Sequence, residues 1–159
     1  MPIYNSNSRG YVGLRNVGSY QVSGTPFITG STNLDSTKCH RISFPNVSKS
    51  ITIINTSANS TDEIDIHFVA GCEITDSGRG GGIGTLSSAG AVTTDVIANN
   101  NFITIPGGNA SLTMDVKAKE FFVSNRTAGN DLSYQVFAEL TQIPTGSMYI
   151  LTGSGINGF

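Results

Sequence analysis

The sequence predicts an all-β protein: an antiparallel two-sheet β-sandwich, jelly-roll-like, with extended N- and C-terminal arms. Three observations predict it. Val and Ile together number 26 of the 159 residues, against 7 Leu, 9 Ala, 4 Glu and 4 Lys. A helical bundle or coiled coil needs those last four in quantity, whereas β-branched side chains suit a pleated surface. The 19 Gly, 19 Ser, 17 Thr and 14 Asn supply turn chemistry throughout the chain. Finally, apolar residues recur at every second position in short runs separated by turn signals, with no helical period.

The elements follow in order. Residues 1–18 read as an N-terminal arm, with Tyr4, Tyr11, Val12, Leu14 and Val17 spread among polar residues without a period. The sandwich is expected over 19–143. Tyr20 and Val22 open it and Phe27-Ile28 follow Pro26. His40, Ile42 and Phe44 share one face, with Cys39, Arg41 and Ser43 on the other. Val47, Lys49, Ile51 and Ile53 form a face of a strand that ends at Asn55-Thr56-Ser57. Ile64, Ile66, Phe68 and Ala70 alternate with Asp65, His67 and Val69. The pattern weakens from Gly71 to about Asn101, with a Gly-rich loop at 76–90 and room for a short strand at Val92–Ile97. A loop of this length in a compact domain is usually functional, mobile or held by a partner.

Phe102–Ile105 stops at the turn signal Pro106-Gly107-Gly108. Leu112, Met114, Val116 and Ala118 alternate with polar partners, and Phe121-Phe122-Val123 is a compact apolar run. Leu132, Tyr134, Val136, Ala138 and Leu140 give the cleanest alternation in the chain, with Ser133, Gln135, Phe137, Glu139 and Thr141 opposite. The expected core includes Ile51, Ile53, Ile66, Phe68, Met114, Val116, Tyr134 and Val136. Residues 144–159 read as a second arm carrying Met148, Tyr149, Ile150, Leu151, Ile156 and Phe159.

Charge excludes several functions. Nine basic and eleven acidic residues give a net of −2, so the chain lacks the basic surface that would neutralise nucleic-acid phosphates. No apolar run approaches the roughly 18 residues of a membrane span. The start, Met-Pro-Ile-Tyr-Asn-Ser, lacks the basic and apolar regions of a signal peptide, which leads us to expect synthesis in a host cytoplasm without cleavage of a leader.

Candidate chemistry is sparse. The Gly-rich loop matches neither GxxxxGK[ST] nor GxGxxG, so no phosphate cradle is expected. His40 and His67 are the only imidazoles. His40 reads as a core or interface histidine, and Asp65 with His67 at i, i+2 supplies at most half of a metal site. Asp62, Glu63 and Asp65 read as a solvated acidic turn, with a Ca²⁺ site as the sharper alternative. No GxSxG elbow occurs and no Ser can be assigned a base. Cys39 and Cys72 are expected as free buried thiols, with a bridge between them as the alternative. Adjacent Cys39 and His40 point to opposite faces and so cannot pair. The Asn-x-Ser/Thr sequons at Asn46, Asn55, Asn59, Asn109 and Asn125 are no more than composition produces. The expectation is therefore a protein with no catalytic residues, no metal, no cofactor and no small-molecule substrate.

Several segments carry a family resemblance: Ile51-Thr-Ile-Ile-Asn, Ile64-Asp-Ile-His-Phe, Phe102-Ile-Thr-Ile-Pro-Gly-Gly, Phe121-Phe-Val-Ser-Asn, Ser133-Tyr-Gln-Val-Phe-Ala-Glu-Leu and the closing Ile143-to-Ile156 stretch. On these the chain resembles virion structural proteins of tailed bacteriophages, cyanophage-like, of the capsid decoration (cement) type. The resemblance implies a non-enzymatic virion component whose partners are the major capsid protein and copies of itself as a homo-oligomer. The alternatives are a head–tail connector, neck or tail component, and a glycan-binding or adhesion module. Arms this polar order poorly alone, so the interface candidates are Tyr4, Tyr11, Met148, Tyr149, Ile150 and Phe159, joined by Arg79, the charged side chain of the Gly-rich loop able to make a directed bond to a neighbouring subunit.

Overall fold

The computed structural model describes residues 24–35, 39–68, 102–127, 129–148, 150–152 and 155–157. The strands are β1 (Thr25–Leu34), β2 (Cys39–Ser43), β3 (Asn46–Asn55), β4 (Ile64–His67), β5 (Ile103–Ile105), β6 (Ser111–Met114), β7 (Glu120–Asn125), β8 (Leu132–Pro144), β9 (Ile150–Thr152) and β10 (Gly155–Asn157). Two four-stranded sheets result: β1-β8-β3-β6, called sheet A here, and β2-β7-β4-β5, sheet B. All ladders are antiparallel. The all-β two-sheet sandwich read from the sequence is what the chain forms.

The pairing follows one plan. β1 pairs with β8, β2 with β7, β3 with β6 and β4 with β5, as if one long hairpin had been rolled up. Two further ladders, β3 with β8 and β4 with β7, close the roll.

The core lies between the sheets. Sheet A contributes Ile51, Ile53, Tyr134, Val136, Ala138 and Leu140, and sheet B contributes Ile42, Ile64, Ile66, Ile105, Phe121 and Val123. The Ile, Val, Leu and Phe side chains among them each gain roughly 1.5–3 kcal/mol by leaving water. Phe68, Met114 and Val116, also expected in the core, pack against it only partly buried. Phe44 meets Phe27 edge-on at 5.2 Å and Phe121 at 5.8 Å, tying β1 to sheet B. His40 Nδ1 lies 3.0 Å from the Tyr134 hydroxyl, a polar bridge between the sheets made by a half-buried ring. Burial pushes the Tyr134 phenol up to about 12.

One departure from simple alternation lies in β3. The register against β8 shifts on both sides of Ser48. Ser48 is fully buried, donating from Oγ to the Val116 carbonyl at 2.7 Å and accepting from Ala118 N at 2.9 Å. This bulge changes the phase of the strand. Lys49, expected on the face of Ile51, instead pairs with Glu139 at 3.1 Å. Gly30 has a steric role, since a Cβ there would sit 2.6 Å from the Tyr134 carbonyl oxygen across the β1–β8 ladder.

The C-terminal segment differs from a plain extended arm. β8 runs through Pro144, a 3₁₀ turn follows at Thr145–Ser147, and β9 and β10 pair with each other as a two-stranded ribbon.

Candidate functional site

The outward faces of the two sheets have opposite characters. Cross-strand partners point to the same side of a sheet, so the registers define rows. In sheet B the pairs Cys39–Ser124, Ser124–Asp65 and Asp65–Thr104 form a polar row across all four strands, on the face opposite the core. His67 follows Asp65 on that face, beside Phe122. The row is buried: Cys39 and Ser124 are 0% exposed, Asp65 and His67 1%.

Two hydrogen-bonded groups fill it. In the first, His67 Nε2 lies 2.9 Å from Ser124 Oγ and 3.8 Å from Cys39 Sγ, and the ring stacks on Phe122 at 5.3 Å and 12°. Cys39 is disulfide-bonded, which corrects the expectation of a free thiol; the chain's other cysteine, Cys72, lies outside the described residues. A disulfide sulfur can only accept, which favours the proton on Nε2 and leaves Nδ1 as a bare lone pair. Nδ1 has no hydrogen-bond partner. Burial lowers the His67 pKa to about 4, so the ring is neutral at pH 7.

In the second group, Thr104 Oγ1 donates to Asp65 Oδ1 at 2.6 Å and Arg126 Nη1 donates to Thr104 Oγ1 at 2.8 Å. Arg126 Nη1 is 3.7 Å from Asp65 Oδ1, and its Nε is 3.2 Å from Glu63 Oε2. The guanidinium also lies over the Phe102 ring, 5.9 Å from its centre. Asp65 is thus a buried carboxylate with a cation nearby rather than part of a solvated turn. Asp62 is buried as well and accepts from Asn59 Nδ2 at 3.0 Å, which corrects the solvated-turn reading for both aspartates.

Serine, histidine and aspartate therefore meet here, and Ser124 does have an imidazole beside it, contrary to the sequence reading. The arrangement is not that of a nucleophilic triad. No carboxylate orients Nδ1, and Ser124 is sealed from any substrate in this conformation. The cluster gives Ser124 and Asp65 hydrogen-bond partners and leaves His67 Nδ1 without one. Among the described residues no group of three His, Cys, Asp or Glu side chains could hold a metal ion. No helix among them is long and apolar enough to cross a membrane.

Sheet A presents the reverse. Its outward row is Ile28–Phe137–Thr52–Thr113, one residue from each strand. Ile28 is 77% exposed and Phe137 41%, side by side, while Thr52 and Thr113 share a hydroxyl contact of 2.9 Å. In the four strands of this sheet the charged residues are Lys49 and Glu139, paired with each other. An open groove of ≈ 590 Å³ runs beside β1, lined by Ile28, Thr29, Gly30, Ser31 and Thr32 with Thr56, Tyr134 and Gln135.

Of the expected interface residues, Tyr4, Tyr11, Arg79, Tyr149 and Phe159 lie outside the described residues. Met148 is half-buried and its N–H donates to the Thr145 carbonyl. Ile150 opens β9 opposite Asn157. The sequence reading missed Ile28 and Phe137. The signal for Phe137 was present, an aromatic ring in the polar phase of the cleanest strand. Comparison of the chain with family models, with curated proteins and with solved structures returns no match.

Proposed function

We propose that the protein is a non-enzymatic structural component of a tailed-phage particle, seated on the capsid surface and reinforcing it through contacts between subunits and with the major capsid protein. The observation that carries the reading is the outer face of sheet A, where Ile28 and Phe137 stand exposed together on a sheet with no unpaired charge. Such a face loses little on being covered, because few ions must be desolvated and apolar area leaves water. The rolled-hairpin pairing supports reading the sandwich as a jelly roll, an architecture used by viral capsid and lectin domains. That is an analogy of fold, which hosts many functions. The β9–β10 ribbon adds weight: among the described residues it pairs only with itself, and a two-stranded hairpin is marginal in water without a surface to pack on.

The test is the protein composition of purified particles. The chain should be present at a copy number that scales with the capsomers, and Phe137→Glu should abolish its addition to particles lacking it while the fold is retained. A copy number matching a single ring would transfer it to the neck or tail. Absence from particles, or unchanged addition of the variant, would end the capsid reading.

A further inference from the structure

We propose that Cys39 and His67 become a thiol–imidazole pair when the Cys39 disulfide is reduced, and that His67 is the base with which Cys39 closes the bond again at the expense of a small-molecule disulfide. The chemistry is independent of whether the protein sits on a capsid.

Both residues are placed by ladders, not by the disulfide. Cys39 opposes Ser124 where β2 pairs with β7, and Ser124 opposes Asp65 where β7 pairs with β4, two residues before His67. The sheet therefore keeps His67 Nε2 within reach of Cys39 Sγ, 3.8 Å away, in either redox state. Among the described residues the charged groups facing the pair are Asp65 on β4, held by Thr104 and Arg126, and Arg41 on β2, bonded to Glu120 of β7.

The orphaned ring nitrogen makes the pair switchable. The proton position on an imidazole is set by the hydrogen bond that its other nitrogen makes. Nδ1 of His67 makes none, although the residue is 1% exposed. The choice of tautomer therefore passes to what Cys39 Sγ and Ser124 Oγ offer Nε2. A disulfide sulfur only accepts, which places the proton on Nε2. A thiol can donate, and the Ser124 hydroxyl turns either way. Reduction thus moves the ring proton to Nδ1 and leaves the Nε2 lone pair facing the S–H.

The chain has two cysteines, so the sulfur bonded to Cys39 is that of Cys72. Cys39 is 0% exposed, so a disulfide RSSR reacts first at Cys72. The Cys72 thiol loses its proton, its sulfur bonds one sulfur of RSSR, and RS⁻ leaves and takes up that proton. Nε2 then accepts the proton of the Cys39 thiol while the Cys39 sulfur attacks the Cys72 sulfur. The bond from Cys72 to SR breaks, and the second RS⁻ takes the proton from the imidazolium. Two protein thiols and RSSR give one protein disulfide and two RSH. Without a base, closing waits for the few per cent of an ordinary thiol that is thiolate at pH 7. The imidazolium and the thiolate arise side by side, so the burial that keeps His67 neutral meets a pair of opposite charges rather than a lone one.

The experiment times closure in the full chain. Reduced protein is loaded with dithiodipyridine in mild acid and moved to a series of pH values, and release of the second thiopyridone per chain reports the closing step. Peptide mapping of the loaded chain should find the adduct on Cys72. The wild-type closing rate should change little from about pH 5 to 8, because base and thiol meet in their neutral forms. His67→Gln should instead fall about tenfold per pH unit below the ordinary thiol pKa of about 8.5, and close at least about tenfold more slowly than wild type at pH 6. Ser124→Ala keeps the ring beside the sulfur and should close like wild type. A wild-type rate that itself rises about tenfold per pH unit overturns the proposal, whether or not the His67 variant folds. So does an adduct on Cys39, or a His67→Gln profile parallel to that of wild type. Ser124→Ala closing as slowly as His67→Gln would reduce the ring to packing, and likewise overturn it.

Discussion

Asn55 and Asn125 do the same work at the ends of strands in opposite sheets. Asn55 ends β3, accepts from Ser57 N at 3.1 Å, and donates through Nδ2 to the carbonyls of Asp62 at 2.7 Å and Ile105 at 3.0 Å. Asn125 ends β7, accepts from Thr127 N at 2.7 Å, and donates to the carbonyls of Leu34 at 2.8 Å and Asn130 at 2.7 Å. Both are buried. Each amide ties the end of its strand to a turn, at Asp62 or Asn130, and to a strand of the opposite sheet, at Ile105 of β5 or Leu34 of β1.

Replacing either asparagine by alanine strands two carbonyls and one N–H. A loss of about 2–4 kcal/mol is expected from each of Asn55→Ala and Asn125→Ala in denaturant unfolding, near-additive in the double variant if the two hubs are independent. Losses under about half a kcal/mol would show that water replaces the amides freely. The same burial makes both sequons poor glycan acceptors once the chain has folded.

His67 should make stability depend on acid. Its folded pKa, about 4, lies below the unfolded value of 6.5, so the unfolded chain binds the proton first as pH falls. The contribution is complete above pH 6.5 and drains away between 6.5 and 4, by about 3 kcal/mol. Denaturant midpoints across that range should fall more steeply for wild type than for His67→Gln. Asp65 on the same strand and Arg41 across β7 are common to both proteins and cancel in the difference. Parallel pH profiles would refute the buried-neutral assignment.

Tyr134 gives the opposite sign. Its folded pKa, about 12, lies above the unfolded value of 10, so its contribution is full below pH 10 and is lost as pH rises toward 12. Tyr134→Phe should cost about 1 kcal/mol at pH 7, through the lost contact with His40, and should be less sensitive to alkali than wild type. Equal alkaline sensitivity would count against it.

The two faces of β4 and β8 can be told apart by truncation. Ile66→Ala should cost about 2–5 kcal/mol, since the side chain is 1% exposed in the core. Phe137→Ala removes a larger side chain from an exposed position and should cost under about 1 kcal/mol. Similar losses at both would mean that something covers sheet A in the single chain.

Legibility in the sequence divided along physical lines. β8 was readable because its alternation is unbroken from Leu132 to Leu140, and β3 was readable to its end because Asn55-Thr56-Ser57 is a turn signal. Lys49 was assigned to the wrong face because a bulge inserts a residue without any mark in composition. Asp62 and Asp65 were read as solvated because charge patterns report local polarity, whereas their burial depends on Asn59, Thr104 and Arg126. The contact of His67 with Ser124 joins residues 57 apart, and only the register of β4 on β7 brings them together. Ile28 hid beside Phe27, where two adjacent apolar residues blur the period.

The rolled-hairpin pairing also sets an order of events during synthesis. β1 is the first described strand to leave the ribosome, and its partner β8 is the last strand of the two sheets, with Thr25 opposite Leu140. More than a hundred residues must be added before that ladder can close, which at ordinary elongation speeds takes roughly 5–20 s. Through that interval an uncharged ten-residue strand waits without its β8 partner. The nascent chain is most exposed to mispairing with its neighbours on a polysome during this wait, and slower translation of residues 35–131 should lower its soluble yield.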